Sequence, residues 1–301
     1  MIKPKSTLEP VIKWSGSKRQ VAHELSRFIT HGNTYYEPFV GGGAMLPFRN
    51  IRQGVANDII PELIELWKAI KDSPEQTAFE YQTRWKKLQQ EGHQVYYEIR
   101  DHFNQTKNCF DFLFLTRTCV NGLIRYNEKS EFNNSFHLTR PGISPKTLQE
   151  IILKWNYYLK EVDFYNLDYA EVLADVKRND FVFLDPPYGG TKGRYTKIDF
   201  DLDRFYGQLS RLNSVGAKWI LTFDGTAGSR AYDYELPKEI YKHKIYIKTG
   251  NSPFTKMMKT SIDEIYESVY LNFQPANELL ANFGEYDSQK LTLYSGFEMQ
   301  N

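Results

Sequence analysis

What this chain has little of narrows it first. Only two cysteines, Cys109 and Cys119, occur in 301 residues. They form no CxxC pair, so neither a disulfide scaffold nor a zinc site is indicated, and a reducing compartment fits best. Charge of one sign is missing as well: 38 Lys and Arg stand against 37 Asp and Glu, a net +1. That balance excludes a wholly basic nucleic-acid coat and confines any polyanion contact to a patch. No apolar run approaches the length of a membrane span, and "MIKPKSTLEP" lacks the apolar core of a secretion signal. A soluble, cytoplasmic protein with no membrane partner is expected. Internal repeats and low-complexity tracts are also absent. Aromatic rings, by contrast, make up 15% of the residues, which in a soluble protein means large packed cores or stacking surfaces. The length suits one large domain, or a domain carrying a sizeable insertion.

The order of elements points to α/β architecture. "TYYEPFVGGGAM" (34 to 45) reads as a short strand running into three glycines and an apolar helix start, and "QGVAND" reads as a second strand ending at Asp58. Leu63, Ile64, Leu66, Trp67 and Ile70 then recur at helical spacing. Residues 75 to 120 read as helical, with a dense apolar block at "CFDFLFLTRTCV", and "NGLIRYNEKSEFNNSFH" has the alternation and turn residues of an exposed hairpin or ordered loop. Helix returns at 145 to 159, and strands resume at "VDFYN", "FVFLD" and "AKWILTFD", with helical stretches between them. Two last strands near 242 to 248 and 265 to 273 suit an antiparallel edge. The pattern predicts a doubly wound, Rossmann-like mixed sheet interrupted by a mostly helical insert. The expected division is 1–71 and 161–275 for the α/β domain, 72–160 for the insert with a hairpin near 121–137, and a tail from 276 to 301.

The chemistry concentrates in three places. In an α/β sheet, ligands bind beyond the carboxyl ends of strands, and "LDPPY" sits at such an end. Two prolines stiffen the turn and remove amide donors, so Asp185, Pro186, Pro187 and Tyr188 present a carboxylate, a carbonyl and a ring in a fixed array. The array suits a planar substrate with an exocyclic amine. Asp185 and the Pro186 carbonyl accept its hydrogens while Tyr188 packs on the ring, and a base drawn from a duplex has to be flipped out to reach it. A plain strand-terminating turn is the other reading of the tetrapeptide. "EPFVGGGAM", with Glu37, Phe39, Gly41 and Gly43, lets backbone approach a ligand, but it matches the dinucleotide fingerprint only in part and lacks a phosphate-loop lysine. A nucleoside ligand without phosphates fits better. Asp58 is placed to accept from ribose hydroxyls, or else to cap the following helix. "KWSGSKRQ" supplies a flat surface, Trp14, and a cation, Lys18, able to meet a carboxylate.

The ordered set "KWSGSKRQ", "EPFVGGGAM", "NDIIPELIELW" and "LDPPY", with a long insert before the last, resembles the Dam-type, alpha-group DNA adenine-N6 methyltransferases. The likeness is firm over about 10 to 190 and looser to about 273. Within the insert, "YYEIRDHF", "DFLFLTRTCVNGLIRYN" and "EFNNSF" are most similar to the recognition region of the EcoRV-type modification enzyme. The resemblance implies S-adenosylmethionine as donor, S-adenosylhomocysteine as product, no metal, and a flipped adenine in duplex DNA as acceptor. It implies further that Trp14, Lys18 and Asp58 hold the donor, with Glu37, Phe39, Gly41 and Gly43 of the glycine motif and, less closely, Asp168. Asp185 matches the acid that contacts the target amine near the donor, and Pro186, Pro187 and Tyr188 complete that motif. Direct in-line transfer needs no covalent cysteine, and neither Cys109 nor Cys119 stands in the setting of a nucleophilic thiol.

For reading DNA, Asn121, Arg125, Asn127 and Asn133 carry the amide and guanidinium groups able to bond base edges bidentately. A hairpin with polar tips is the bland alternative. Lys242, Lys244 and Lys248, with Lys256 and Lys259 nearby, either hold phosphates or protect an edge strand. Asn134 and Ser135 stand where family members often carry valine and proline. The resemblance thus predicts a site-specific enzyme acting as a monomer on DNA, with a cognate restriction endonuclease as a separately acting partner. Cytosine-N4 or RNA amino-methylation and a non-catalytic DNA-binding module are the competing readings, and a nicotinamide dehydrogenase is more distant.

Overall fold

The computed structural model describes residues 7–140, 142–187, 200–227, 230–231, 236–251 and 264–281. Tyr188, Lys256, Lys259 and the tail beyond 281 lie outside the described residues.

Four short strands, β1 (Thr34–Glu37), β2 (Gln53–Asn57), β3 (Val162–Tyr165) and β4 (Phe181–Leu184), run parallel with β5 (Lys218–Ala227). β7 (His243–Asn251) and β8 (Glu264–Leu271) complete the sheet antiparallel, giving the order β3-β2-β1-β4-β5-β8-β7, and the two-residue β6 (Arg230–Ala231) pairs with β5. The expected doubly wound mixed sheet is therefore present.

Its centre shows why the strands read as apolar runs: all four β4 residues are buried, as a parallel strand covered on both faces requires. Alternation divides them. Phe181 and Phe183 join one core with Tyr35, Ala56 and Ile220, while Val182 and Leu184 join a second with Tyr36, Trp219 and Leu221. The second core is closed by α7 (Tyr169–Ala174) and α8 (Leu202–Val215), which contributes Phe205, Leu209 and Leu212. On the first face lie α1 (Ala22–Leu25) and α2 (Pro61–Asp72), whose Leu63, Ile64, Leu66, Trp67 and Ile70 are all buried at the predicted spacing.

Between β2 and β3 the chain also builds α3 (Pro74–Glu91), α4 (Gln94–Thr106), α5 (Cys109–Thr118) and α6 (Pro145–Leu159). Left-handed residues, Gly92 and Lys107, separate α3, α4 and α5. α5 is the hub, since every residue from Asp111 to Thr118 is buried and Asn108 caps its start by accepting from the Phe110 and Asp111 amides. Its apolar residues share one continuous core with the first face of the sheet. Arg84 Nε and His102 Nδ1 both reach the buried Asp111 carboxylate, clamping α3 and α4 onto α5.

Residues 121–137 form an ordered loop of hairpin-like course: antiparallel bridges join Cys119 to Phe136 and Tyr126 to Phe132, and the Asn127 and Asn133 backbone amides donate across it to the Glu131 and Arg125 carbonyls. Side-chain amides supplement this short pairing. Asn134 Nδ2 donates to the Val120 and Leu123 carbonyls, and Asn104 on α4 both donates to and accepts from the Phe132 backbone. After the triple glycine, a single 3-10 turn (Leu46–Phe48) replaces the expected helix, followed by Asn50 in left-handed conformation.

The segment before Trp14 is strapped to the helices. Trp155 Nε1 donates to the Glu9 carbonyl at 2.8 Å and Arg117 Nη2 to the Pro10 carbonyl at 3.0 Å, while Val11 and Ile12 are buried. Among the described residues no helix is long and apolar enough to cross a membrane.

Candidate active site

Parallel strands end together at one edge of the sheet, and the turns that leave them enclose a cavity of about 410 Å³, a size usual for small-molecule sites of roughly 300–1,000 Å³. Its walls come from the segment ahead of α1 (Trp14 to Lys18), the turn after β1 (Glu37 to Gly42), the turn after β2 (Asn57 to Ile60), the start of α7, and Asp185 to Pro187 after β4. The sequence motifs thus converge although they lie far apart in the chain.

Lys18 is the link between them. Its ammonium lies 2.8 Å from Asp185 Oδ1 and 2.7 Å from Oε1 of Glu267 on β8. Thr222 of β5 donates its hydroxyl to the same Asp185 oxygen at 3.0 Å. Oδ2 of Asp185 has no partner among the described residues. Burial pushes the Asp185 carboxyl up to about 6, with Glu267 adding to the rise and Lys18 and Thr222 opposing it. Its side chain keeps 21% of its surface exposed, so solvent moderates the effect. Beneath it, Glu37 is buried and accepts from the Tyr35 hydroxyl at 3.0 Å. Desolvation holds its carboxyl well above the usual range, and the neighbouring Asp185 charge adds to this.

The glycine turn is built around three tryptophans. Gly41 and Gly42 lie so close to Trp14 that a Cβ on Gly41 would stand 2.5 Å from its Nε1, and the Gly41 φ of +45° favours glycine as well. The Gly41 carbonyl accepts from Trp67 Nε1 and its amide donates to Asp58 Oδ2. Gly43 is turned elsewhere, against Trp67 and Trp155, and does not line the cavity. Asp58 is not the cap of α2, whose N-cap is Ile60 with no side-chain cap bond; its Oδ1 instead accepts from the Ile60 amide just ahead of that helix. It lines the cavity too, and burial raises it to about 6 against the pull of the Gly41, Ile60 and Ile59 amides. Phe39 packs with Tyr169 and Phe200 at one wall. There Asp168 accepts from the Ala170 amide and forms a two-pronged ion pair with Arg204, at 2.8 and 3.0 Å.

S-adenosylmethionine, the cofactor the resemblance implies, is tested by this donor and acceptor set. Among the described residues five carboxylic side chains and two cations line the cavity, an excess of negative charge that suits a sulfonium and sugar hydroxyls and repels phosphates. Asp58 retains lone-pair capacity beyond its bonds to nearby backbone amides, and Phe39 offers a flat apolar wall. The residues fit the group.

The remaining site candidates stand apart on the 121–137 loop. Asn121 and Arg125 are exposed, and Asn121 is left-handed at φ 58°. Arg125 Nε donates to Asn133 Oδ1 at 3.1 Å. Asn127 is occupied in shaping the turn, accepting from the Lys129 and Glu131 amides. Tyr126 anchors the loop by donating to Glu62 of α2 at 2.6 Å. Lys244 lies over the rings of Tyr246 and Tyr270. Burial pushes the thiols of Cys109 and Cys119 up to about 11, away from thiolate chemistry. Sequence reasoning missed Tyr169 and Arg204 in the cavity wall, and Thr222 and Glu267, which bond to Asp185 and Lys18 behind it. The one local signal for Glu267 is an acid set inside the apolar alternation of "YESVYL".

Comparison with known proteins identifies the family. Residues 14–254 match the model of the D12 class N6 adenine-specific DNA methyltransferases. The chain is 30% identical over 302 residues to the type II methyltransferase M.MjaIII of Methanocaldococcus jannaschii, covering 88% of this chain and 99% of that one. It is also 30% identical to the DNA N-6-adenine-methyltransferase of Escherichia phage P1, covering 76% of this chain and 32% of that longer protein. A third relative, the type II methyltransferase M1.LlaDCHI of Lactococcus lactis, is 30% identical over 62% of this chain and 68% of its own. Most of the described sheet and the whole cavity edge contributed before Phe200 fall inside the matched span, and on that basis the chain belongs to the D12 class N6 adenine-specific DNA methyltransferase family, whose methyl donor is S-adenosylmethionine.

Proposed function

We propose that this chain methylates the N6 amine of an adenine flipped out of a short, specific duplex DNA sequence, in the manner of the Dam-type enzymes, and that it serves as the modification half of a restriction system. The observation that carries the chemistry is the Asp185 carboxylate at the end of β4, held at Oδ1 by Lys18 and Thr222 with Oδ2 left for a ligand. Oδ2 and the Pro186 carbonyl accept the two amine hydrogens, which draws the nitrogen lone pair out of conjugation. Tyr188 stacks on the base. Trp14, Lys18, Asp58 and the Phe39 wall hold the donor, with the Gly41 backbone closing against it. S-adenosylmethionine, held by these residues, would supply a methyl group activated on sulfur for in-line attack by the amine, and the proton leaving the methylated amine would pass to solvent. Alignment and electrostatics carry the rate.

The segment 72–160 acts as the DNA-recognition domain, with Asn121 and Arg125 at its exposed tip and the α/β parts at 1–71 and 161–275 holding donor and target. Asn133 supports Arg125, and Asn127 shapes the turn. The relatives named type II methyltransferases support the modification role, and the EcoRV-like insert supports a site read by a monomer.

The test is direct mapping of modified bases in a methylation-free host expressing this chain, beside Asp185→Ala. One short motif carrying N6-methyladenine only with the intact protein is the expected result. N4-methylcytosine, or unmodified DNA from well-folded protein, sinks the reading.

A further inference from the structure

Lys18 stands between two carboxylates, and only one of them belongs to the strand-end turn. Glu267 comes from β8, paired in register with Ile247 of β7 and Gly225 of β5, and its side chain is 9% exposed beside a Lys18 that is 6% exposed. A buried charge is costly unless paired, and Asp185 alone would pair Lys18. The second acid therefore divides the ammonium between two carboxylates instead of leaving it to Asp185.

We propose that Glu267 is a positioning residue for the methyl transfer: by sharing the Lys18 ammonium it fixes the Asp185 carboxylate and keeps Oδ2 available as a strong acceptor for the target amine. This rests on the reading of Asp185 above. Asp185 is faced by Lys18 from the segment ahead of α1, by Thr222 from β5 and by Glu267 from β8. Glu37 lies beneath on β1, bonded to Tyr35 and within the field of Arg49. Without the Glu267 charge, the Lys18 ammonium is no longer shared between these two carboxylates. The carboxylate then ionises more readily and accepts more weakly, because Glu267 is one of the groups that raise it.

Glu267→Gln keeps the size and an oxygen for Lys18 but removes the charge. Full-length wild type, Glu267→Gln and Asp185→Ala are compared on unmodified plasmid DNA, with circular dichroism and S-adenosylhomocysteine binding as checks of fold and cavity. Wild-type transfer that Asp185→Ala abolishes tests the parent reading without reference to position 267. The titration of Asp185 is followed by carbon NMR of protein labelled at the aspartate carboxyl, with Asp185→Asn identifying the signal. In Glu267→Gln the Asp185 midpoint and the acid limb of kcat are expected to move down together by about one pH unit. Plateau kcat is expected to fall about tenfold, with S-adenosylhomocysteine affinity within about threefold of wild type. An unchanged Asp185 midpoint in the folded variant overturns the proposal, even if turnover falls, and so does wild-type turnover across the pH range. Where Glu267→Gln does not fold, Glu267→Met, uncharged and of similar length, is read by the same midpoints. If wild type proves inactive, the parent reading fails, and the NMR midpoint alone decides whether Glu267 sets the state of Asp185.

Discussion

At the scale of single residues, the cavity is governed by carboxyl groups that differ in what they touch. Asp185→Asn keeps an oxygen for Lys18 but removes the charge that polarises an amine. Methyl transfer is expected to fall by on the order of 10²–10³ while circular dichroism stays unchanged, which single-turnover assays and spectra check. Gly41→Ala drives a methyl group into the Trp14 ring at a left-handed position. It should destabilise by about 1–3 kcal/mol and weaken S-adenosylhomocysteine binding, measured by thermal melting and titration calorimetry. Asp58 gives a pH prediction. With a folded-state pKa raised to about 6, against about 3.9 in an unfolded chain, the native state holds this proton more tightly. Its contribution to stability is full below about pH 4 and is lost as pH rises through 6. The stability gap between wild type and Asp58→Asn should therefore move in the variant's favour from pH 4 to 7, whatever its size at the start. A gap independent of pH would mean that Asp58 titrates at its ordinary value.

Elements show how much of this was legible beforehand. "FVFLDPPY" announced a buried strand that stops at a rigid turn, and β4 ends at Leu184 with Asp185 next. The α2 stripe was equally plain, because packing on one face imposes a spacing that survives in the letters. The 121–137 loop was less so. Its alternation suggested a hairpin or an ordered loop, and the short backbone pairing that forms is supplemented by Asn104, Asn127 and Asn134; nothing local tells an asparagine that serves its own loop from one that reads a base. Glu267 left only a faint trace for a different reason, since the Lys18 it meets lies at the opposite end of the chain and the pairing of β8 with β5 is a long-range one. The loop's anchor gives a prediction at this scale. Tyr126→Phe leaves the buried Glu62 without its donor and should cost about 1–3 kcal/mol, read by thermal melting. It should weaken DNA binding more than cofactor binding. Arg125→Ala should relax site choice with cofactor affinity intact, read by methylation of a library of sites. Equal loss of cofactor binding would contradict the separation of the two tasks.

For the whole molecule, the near-neutral composition limits how DNA is held. With a net charge of +1, few phosphates can be neutralised at once, so the slope of log affinity against log salt should correspond to a handful of contacts, at about 0.9 per phosphate. A steep slope would point to a basic surface that lies outside the described residues. One core runs from the first face of the sheet into α3–α6, so the helical part and the sheet should unfold in a single transition, checked by comparing fluorescence and circular dichroism melts. The strap ahead of Trp14 makes the same union from the other side. The family likeness starts at Trp14, but a chain trimmed to that point would strip acceptors from Trp155 and from the buried guanidinium of Arg117. The few residues that carry no motif are thus the mooring of Trp14 and Lys18, and a shortened protein with every motif intact would be expected to grip its methyl donor loosely.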